Sequence, residues 1–368
     1  MRALGNLAAL VAAVCMAGCA RPRPLAVPEA ALPAERREPA GEADVVAPVG
    51  ELAAREDEAG AGGNAGQRFE DAAVKKRAPG AAGSSQLAGA DTRRPSDPLP
   101  GLGATAEERA AVTFTYLERA RRALARGDFD RAIAETLPAL EIEPASVEAQ
   151  ILLARAYMEK GWLAKARRIL ETGTSAGKGA ESARLWMMLG LVYERSGDAT
   201  ALARDAYTRA TRLKPNYARA WTNLGAAQLE LGDSDAAVAA LETALSIDSE
   251  SVVALTNLGT AYRRQAAGVA EDADRRMGLI RKAENAYRTA LAVDEAYGPA
   301  HFDLGLLYLE TDTFPGRSAP ERLRLALRHL REYQRLTAEG PGQPAGPAVE
   351  EYLEAAQETL ELFERTGG

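Results

Sequence analysis

Apolar residues recur along this chain at offsets that only a helix brings onto one side. Trp221, Leu224, Gly225 and Gln228 stand at relative positions 0, +3, +4 and +7, and Leu255, Leu258, Gly259 and Tyr262 repeat those offsets 34 positions later. The tetrapeptide Thr-Asn-Leu-Gly is common to both copies, at 222–225 and 256–259. Such spacing predicts one buried helical face. The glycine at +4 carries no side chain, so a second helix can approach closely there. That second helix is predicted by Ala237, Leu241 and Ala244 after the first copy, and by Ala283, Tyr287 and Ala290 after the next. Two short helices with small residues at their crossing cannot enclose a core alone and must stack on neighbours.

The pattern extends in both directions. Trp186, Leu189, Gly190 and Tyr193 precede Ala203, Tyr207, Ala210 and Pro215. Leu153, Ala154 and Tyr157 precede Gly161, Ala166 and Leu170, while Tyr116, Ala120 and Gly127 precede Ala132, Ala139 and Pro144. Downstream, Leu304, Gly305 and Tyr308 precede Ala326 and Leu330. Arg119 takes the leucine position of the first unit and is expected to face water, as in a terminal repeat. Extra residues near 263–282 predict two lengthened helices. Pro315, Gly316 and Pro320 predict a loop within 309–320. Beyond a Pro/Gly break, Val349, Leu353, Ala356, Leu360 and Phe363 share one side of a predicted final helix that caps the array, within 341–368.

The motif Trp-x-x-Leu-Gly-x-x-Tyr, with its following alanines and closing proline, resembles the tetratricopeptide repeat. The resemblance implies an all-α, right-handed solenoid of about six helix-turn-helix repeats over 106–340. It also implies a concave groove, lined by the first helices, that holds protein segments.

Composition changes sharply before residue 106. From 19 to 105 the chain is Ala, Pro, Gly and charged residues, with Phe69 its one aromatic. Such a segment cannot bury enough apolar area to offset chain entropy, and it predicts a disordered tether. Roughly 85 residues of random coil span about 50 Å end to end. Residues 1–18 read as a signal peptide: Arg2, then a short apolar run from Leu4 to Ala17. The run ends in Met16-Ala17-Gly18-Cys19, which resembles the lipobox of bacterial lipoproteins. That implies cleavage before Cys19, its acylation, and, with Ala20 following, an outer membrane facing the periplasm. An ordinary secretory signal, releasing a soluble periplasmic or secreted chain, is the alternative.

Charge and rare residues narrow the chemistry. The formal net charge is -7, with no basic block of five or more residues, so nucleic acid is not the expected partner. With 2 His and 2 Cys, neither a metal site, nor a cofactor, nor a histidine-based catalytic triad is expected. The stretch from 173 to 182 (Gly-Thr-Ser-Ala-Gly-Lys-Gly-Ala-Glu-Ser) lacks both the leading glycine and the Ser/Thr of a phosphate loop. No catalytic residues, and no small-molecule substrate, are therefore expected.

The binding candidates lie on the first helices. Asn223 and Asn257 hold the sixth helical position in two consecutive units, where an amide can bond an extended peptide backbone through both donor and acceptor. Some relatives of the repeat family use an asparagine ladder in this way. Arg184, Arg219, Arg263 and Arg264 are expected to project into the same groove and attract a carboxylate. Phe314, an aromatic in the Pro/Gly loop, is a second candidate contact. Together these readings imply a non-enzymatic scaffold that binds proteins and is anchored to membrane through Cys19. By faint likeness to gliding-motility and pilus- or secretin-assembly lipoproteins, it would serve an envelope machine. The alternative is recruitment or regulation of peptidoglycan-remodelling enzymes.

Overall fold

The computed structural model of the chain describes residues 105–366, apart from 176, 198, 270 and 340–346. The expected leader, the tether up to residue 104, Cys19 and the Pro/Gly break lie outside the described residues. Among the described residues the fold is all helical, broken only by an isolated bridge between Phe314 and Arg317. These residues fall into two compact units, divided in sequence between Ala180 and Glu181.

The first unit contains α1 (Ala106–Ala125), α2 (Phe129–Ile142), α3 (Val147–Glu159), α4 (Leu163–Ser175) and a short α5 (Gly177–Ala180). Thr105 starts α1 through a capping box: its Oγ1 accepts from Glu108 N at 3.2 Å, and Glu108 Oε2 accepts from Thr105 N at 2.7 Å. Gly127, at φ 73°, takes the left-handed turn that ends α1, and Asp128 Oδ1 then caps α2 by accepting from Arg131 N at 3.1 Å. A Gly-Asp pair thus both stops one helix and starts the next. Tyr116, Leu117, Ala120, Leu140, Leu152 and Leu153 make the core. Arg119 does not face water as expected. Its side chain is only 15% exposed and lies 3.8 Å from Glu135, itself 5% exposed, so the leucine position is filled by a largely buried ion pair.

The second unit holds four helix pairs and a closing helix. The pairs are α6 (Ala183–Ser196) with α7 (Thr200–Leu213), α8 (Ala218–Glu230) with α9 (Ser234–Ile247), α10 (Val252–Gly268) with α11 (Ala273–Val293), and α12 (Gly298–Glu310) with α13 (Ala319–Glu339). Gly232-Asp233 repeats the stop-and-start device between α8 and α9. Each pair closes on the glycine at +4. A methyl at Gly190 would meet the Tyr207 ring at 2.4 Å, at Gly225 the Leu241 side chain at 2.6 Å, and at Gly305 the Leu330 side chain at 2.8 Å. Only glycine allows those side chains to lie against the first helix. Helices α10 and α11 run 17 and 21 residues, against 13 and 14 for α8 and α9. Finally α14 (Pro347–Thr366) buries Val349, Tyr352, Ala356 and Leu360 against the last pair, with Tyr352 edge-on to Phe302 at 6.0 Å.

Candidate functional site

The first helices of the second unit carry nearly all the predicted binding residues, and most are turned inward. Asn223 is wholly buried, its Nδ2 lying 3.7 Å from Met187 Sδ on α6, and Asn257 is 2% exposed. Neither amide is presented as a rung for a bound peptide, which corrects the expected ladder. The sixth position faces the neighbouring pair, where an amide is surrounded by helix on both sides. Arg184 and Arg219 are half-buried on α6 and α8, and each already holds a contact within the fold.

Arg263 and Arg264 are also spent internally. Arg263 Nη1 donates to Glu310 Oε2 at 2.6 Å, and Nη2 lies 3.9 Å from Asp303 Oδ1. Thr260 Oγ1 adds a bond to Asp303 Oδ2 at 3.1 Å and stands 3.1 Å from the Tyr287 hydroxyl. Burial works against charge on this guanidinium, but Glu310, Tyr287 and Asp303 hold its pKa above the ordinary arginine value. Burial raises the Asp303 pKa, opposed by Arg263 and Thr260. The network bolts α10, α11 and α12 together. Arg264 Nη1 donates to the Leu229 carbonyl near the end of α8, where the helix dipole favours a cation. Arg263 and Arg264 are therefore inter-helix braces rather than parts of an open carboxylate site.

Phe314 is likewise not a surface contact. It is 4% exposed, tilted against Tyr308 at 5.1 Å between centroids, with the Arg317 guanidinium 5.1 Å from its ring centre. The loop folds over the last pair because an aromatic ring gains more by covering Tyr308 than by standing in water. Behind it, Arg322 is 1% exposed and donates Nη1 to the carbonyls of Tyr308 and of Leu309, the latter at 2.9 Å. These carbonyls end α12, so the buried cation serves as its C-terminal cap.

The two histidines meet. His301 Nδ1 and His329 Nδ1 are 3.0 Å apart, and His301 Nε2 is 2.9 Å from the Glu295 carbonyl. A carbonyl can only accept, so His301 Nε2 carries a proton, and in the neutral pair His329 Nδ1 donates to His301 Nδ1. Burial, then the neighbouring His301 ring, push the His329 pKa down to about 4. His301 also fills a repeated seat. Trp221 Nε1 donates to the Pro215 carbonyl at 2.8 Å and Gln150 Nε2 to the Pro144 carbonyl at 3.0 Å, each six residues back. All three pin the entry to a first helix, which gives His301 a structural task. Sequence reading missed this pair because the two rings lie 28 residues apart on different helices. Among the described residues no group of three or more His, Cys, Asp or Glu could hold a metal ion, and no helix is long and apolar enough to cross a membrane.

Comparison with known proteins agrees with this architecture. Two tetratricopeptide repeat family models match, over residues 123–191 and 187–252. No curated protein sequence matches the chain. Among solved structures, the Cut9–Hcn1 hetero-tetramer of the APC/C is similar with a TM-score of 0.52 at 17% identity, over 66% of this chain and 42% of that one. PilF of Pseudomonas aeruginosa is similar with a TM-score of 0.50 at 17% identity, over 68% and 99%. MamA shares 27% identity over 50% of this chain and 93% of its own, with a TM-score of 0.41. Identities of 17% speak for the fold alone. The paired helices, their glycine contacts and the two successive family matches make this chain a member of the tetratricopeptide repeat proteins.

Proposed function

We propose that the chain is an envelope-anchored scaffold that holds protein partners in place and performs no chemistry of its own. The observation that carries this reading is the recurring helix pair. In the second unit glycine contacts close each pair, and braces such as Arg263–Glu310 tie one pair to the next, so outward side chains are presented on helices rather than on loops. Such arrays serve as protein-interaction scaffolds. The anchoring part is supported by the Met16-Ala17-Gly18-Cys19 sequence and by the composition of 19–105. On this reading a lipid on Cys19 and a tether of about 50 Å let the array work at a distance from its membrane. Assembly of a gliding-motility or pilus- and secretin-type machine fits that arrangement.

The test is fractionation of cells expressing the full chain or Cys19→Ser, followed by cross-linking and mass spectrometry. The expected result is that the wild type partitions with outer membrane and cross-links to membrane-assembly proteins, whereas Cys19→Ser is recovered in the soluble fraction. Equal solubility of both chains would overturn the anchor. Cross-links dominated by cell-wall hydrolases or synthases would move the chain to control of peptidoglycan remodelling.

A further inference from the structure

Arg324, Arg328, Arg331 and Arg335 follow one another along α13 at spacings of four, three and four. They therefore form a single column, about 17 Å long at a rise of 1.5 Å per residue. The column lines an open cleft of about 640 Å³ between α13 and α14, which Leu327 and Leu360 also line. All four arginines are exposed. Their partners are uneven. Arg324 Nη2 reaches Glu364 Oε1 at 2.9 Å, and Arg335 Nη2 reaches Glu332 Oε1 at 2.5 Å. Arg331 reaches only a neutral amide oxygen, that of Gln357, at 3.2 Å. Arg328 makes no hydrogen bond or ion pair with any described residue. The two middle guanidiniums, Arg328 and Arg331, thus form no ion pair with a described carboxylate, in a chain whose net charge is -7.

We propose that this cleft docks an acidic segment of a partner protein, whose carboxylates are taken by Arg328 and Arg331 at the middle of the column. A guanidinium forks two parallel donors onto a carboxylate, and exposed intramolecular pairs such as Arg324–Glu364 are weak enough to exchange. Leu327 and Leu360 supply an apolar wall for the aliphatic stems of glutamates between the charged heads. A narrow chain fits better than a flat anionic surface. The cleft stands apart from the anchoring reading. Fractionation tests that reading, and peptide binding tests this one, so either can fail alone.

The experiment uses the full chain and a fluorescein-labelled ten-residue glutamate peptide, followed by anisotropy at 20 mM and 200 mM salt. The expected result is saturable binding that weakens as salt rises. Arg328→Ala/Arg331→Ala should weaken it at least ten-fold. Arg328→Lys/Arg331→Lys should recover part of it, and Arg204→Ala, at a distant exposed ion pair on α7, should leave it unchanged. Absence of binding by the wild type at low salt would overturn the proposal, as would equal loss in Arg204→Ala. Phosphatidylglycerol vesicles that bind more tightly than the peptide, and lose binding in the same double variant, would assign the column to an anionic membrane instead. Because both arginines are exposed, the variants should melt with the wild type. Should one not, the lysine pair carries the comparison.

Discussion

Gly259 and Tyr287 claim the same space between α10 and α11: a methyl carbon on Gly259 would lie 2.5 Å from Tyr287 Cε1. The phenol is wholly buried and tied by its hydroxyl to Thr260, so the ring has nowhere to retreat. Gly259→Ala should cost about 1–3 kcal/mol by overpacking, read from urea unfolding. Gly225→Ala should fall at the low end of that range, because the opposing Leu241 can change rotamer where a braced ring cannot. Equal costs at both positions would show that the ring brace is unimportant.

Removing Arg263 leaves Asp303 and Glu310 facing each other with no cation in the brace between α10 and α12. Arg263→Ala should therefore cost about 3–5 kcal/mol, more than the loss of packing alone. Asp303→Asn in the Arg263→Ala background should regain part of it. Denaturant titration of the single and double variants makes the comparison directly.

Acid should weaken the fold through His329. Its pKa is about 4 in the folded chain against the ordinary 6.5, with burial the largest cause and His301, Arg328 and Arg288 adding to it. A lowered histidine pKa means that the unfolded chain binds the proton more readily. The stabilisation is complete above pH 6.5 and is lost as pH falls toward 4. The loss attributable to this group is no more than about 3 kcal/mol. His329→Phe should flatten the melting-temperature profile between pH 6.5 and 4, relative to wild type measured alongside. A profile that keeps its full slope would place the titration elsewhere.

Phe314→Ala should destabilise by about 3–5 kcal/mol, as expected for a buried aromatic, and should leave binding of any partner unchanged once the chain is folded. An exposed contact residue would show the opposite split. Thermal melting and a pull-down on the same variant separate the two.

The helix pairs were legible because their cause is local. The offsets 0, +3, +4 and +7 around Gly225 and Gly259 fix which side of a helix is apolar, and the glycine announces a close crossing. The fate of Asn223 and Arg263 was not legible, because it depends on how one pair rotates against the next. Arg263 meets Glu310 across 47 residues, and no local pattern states that pairing. Arg119 failed for the same reason, since its neutraliser, Glu135, sits on the following helix. Phe314 shows a different limit. A Pro/Gly loop reads as surface, but the ring it carries found an aromatic neighbour to cover. The arginine column on α13 is visible in the spacing alone, and only the cleft beside α14 gives that spacing a meaning.

The phenols of the first helices reach backward along the array. Tyr262 donates its hydroxyl to Glu242 on the preceding pair at 2.7 Å, and Tyr308 donates to Glu284 on the preceding pair at 2.7 Å. Each of these pairs therefore carries a side chain addressed to one particular predecessor. Repeats that arose by duplication are often treated as beads that recombination can add, drop or reorder. Here, an unequal crossover that deleted α10 and α11 would bring Tyr308 against the second helix of a different pair, α9. There it would find a partner only if Glu242 happened to fall at the right height. Once such addresses are written, the lineage can still vary each repeat, but it can no longer freely change their number or order.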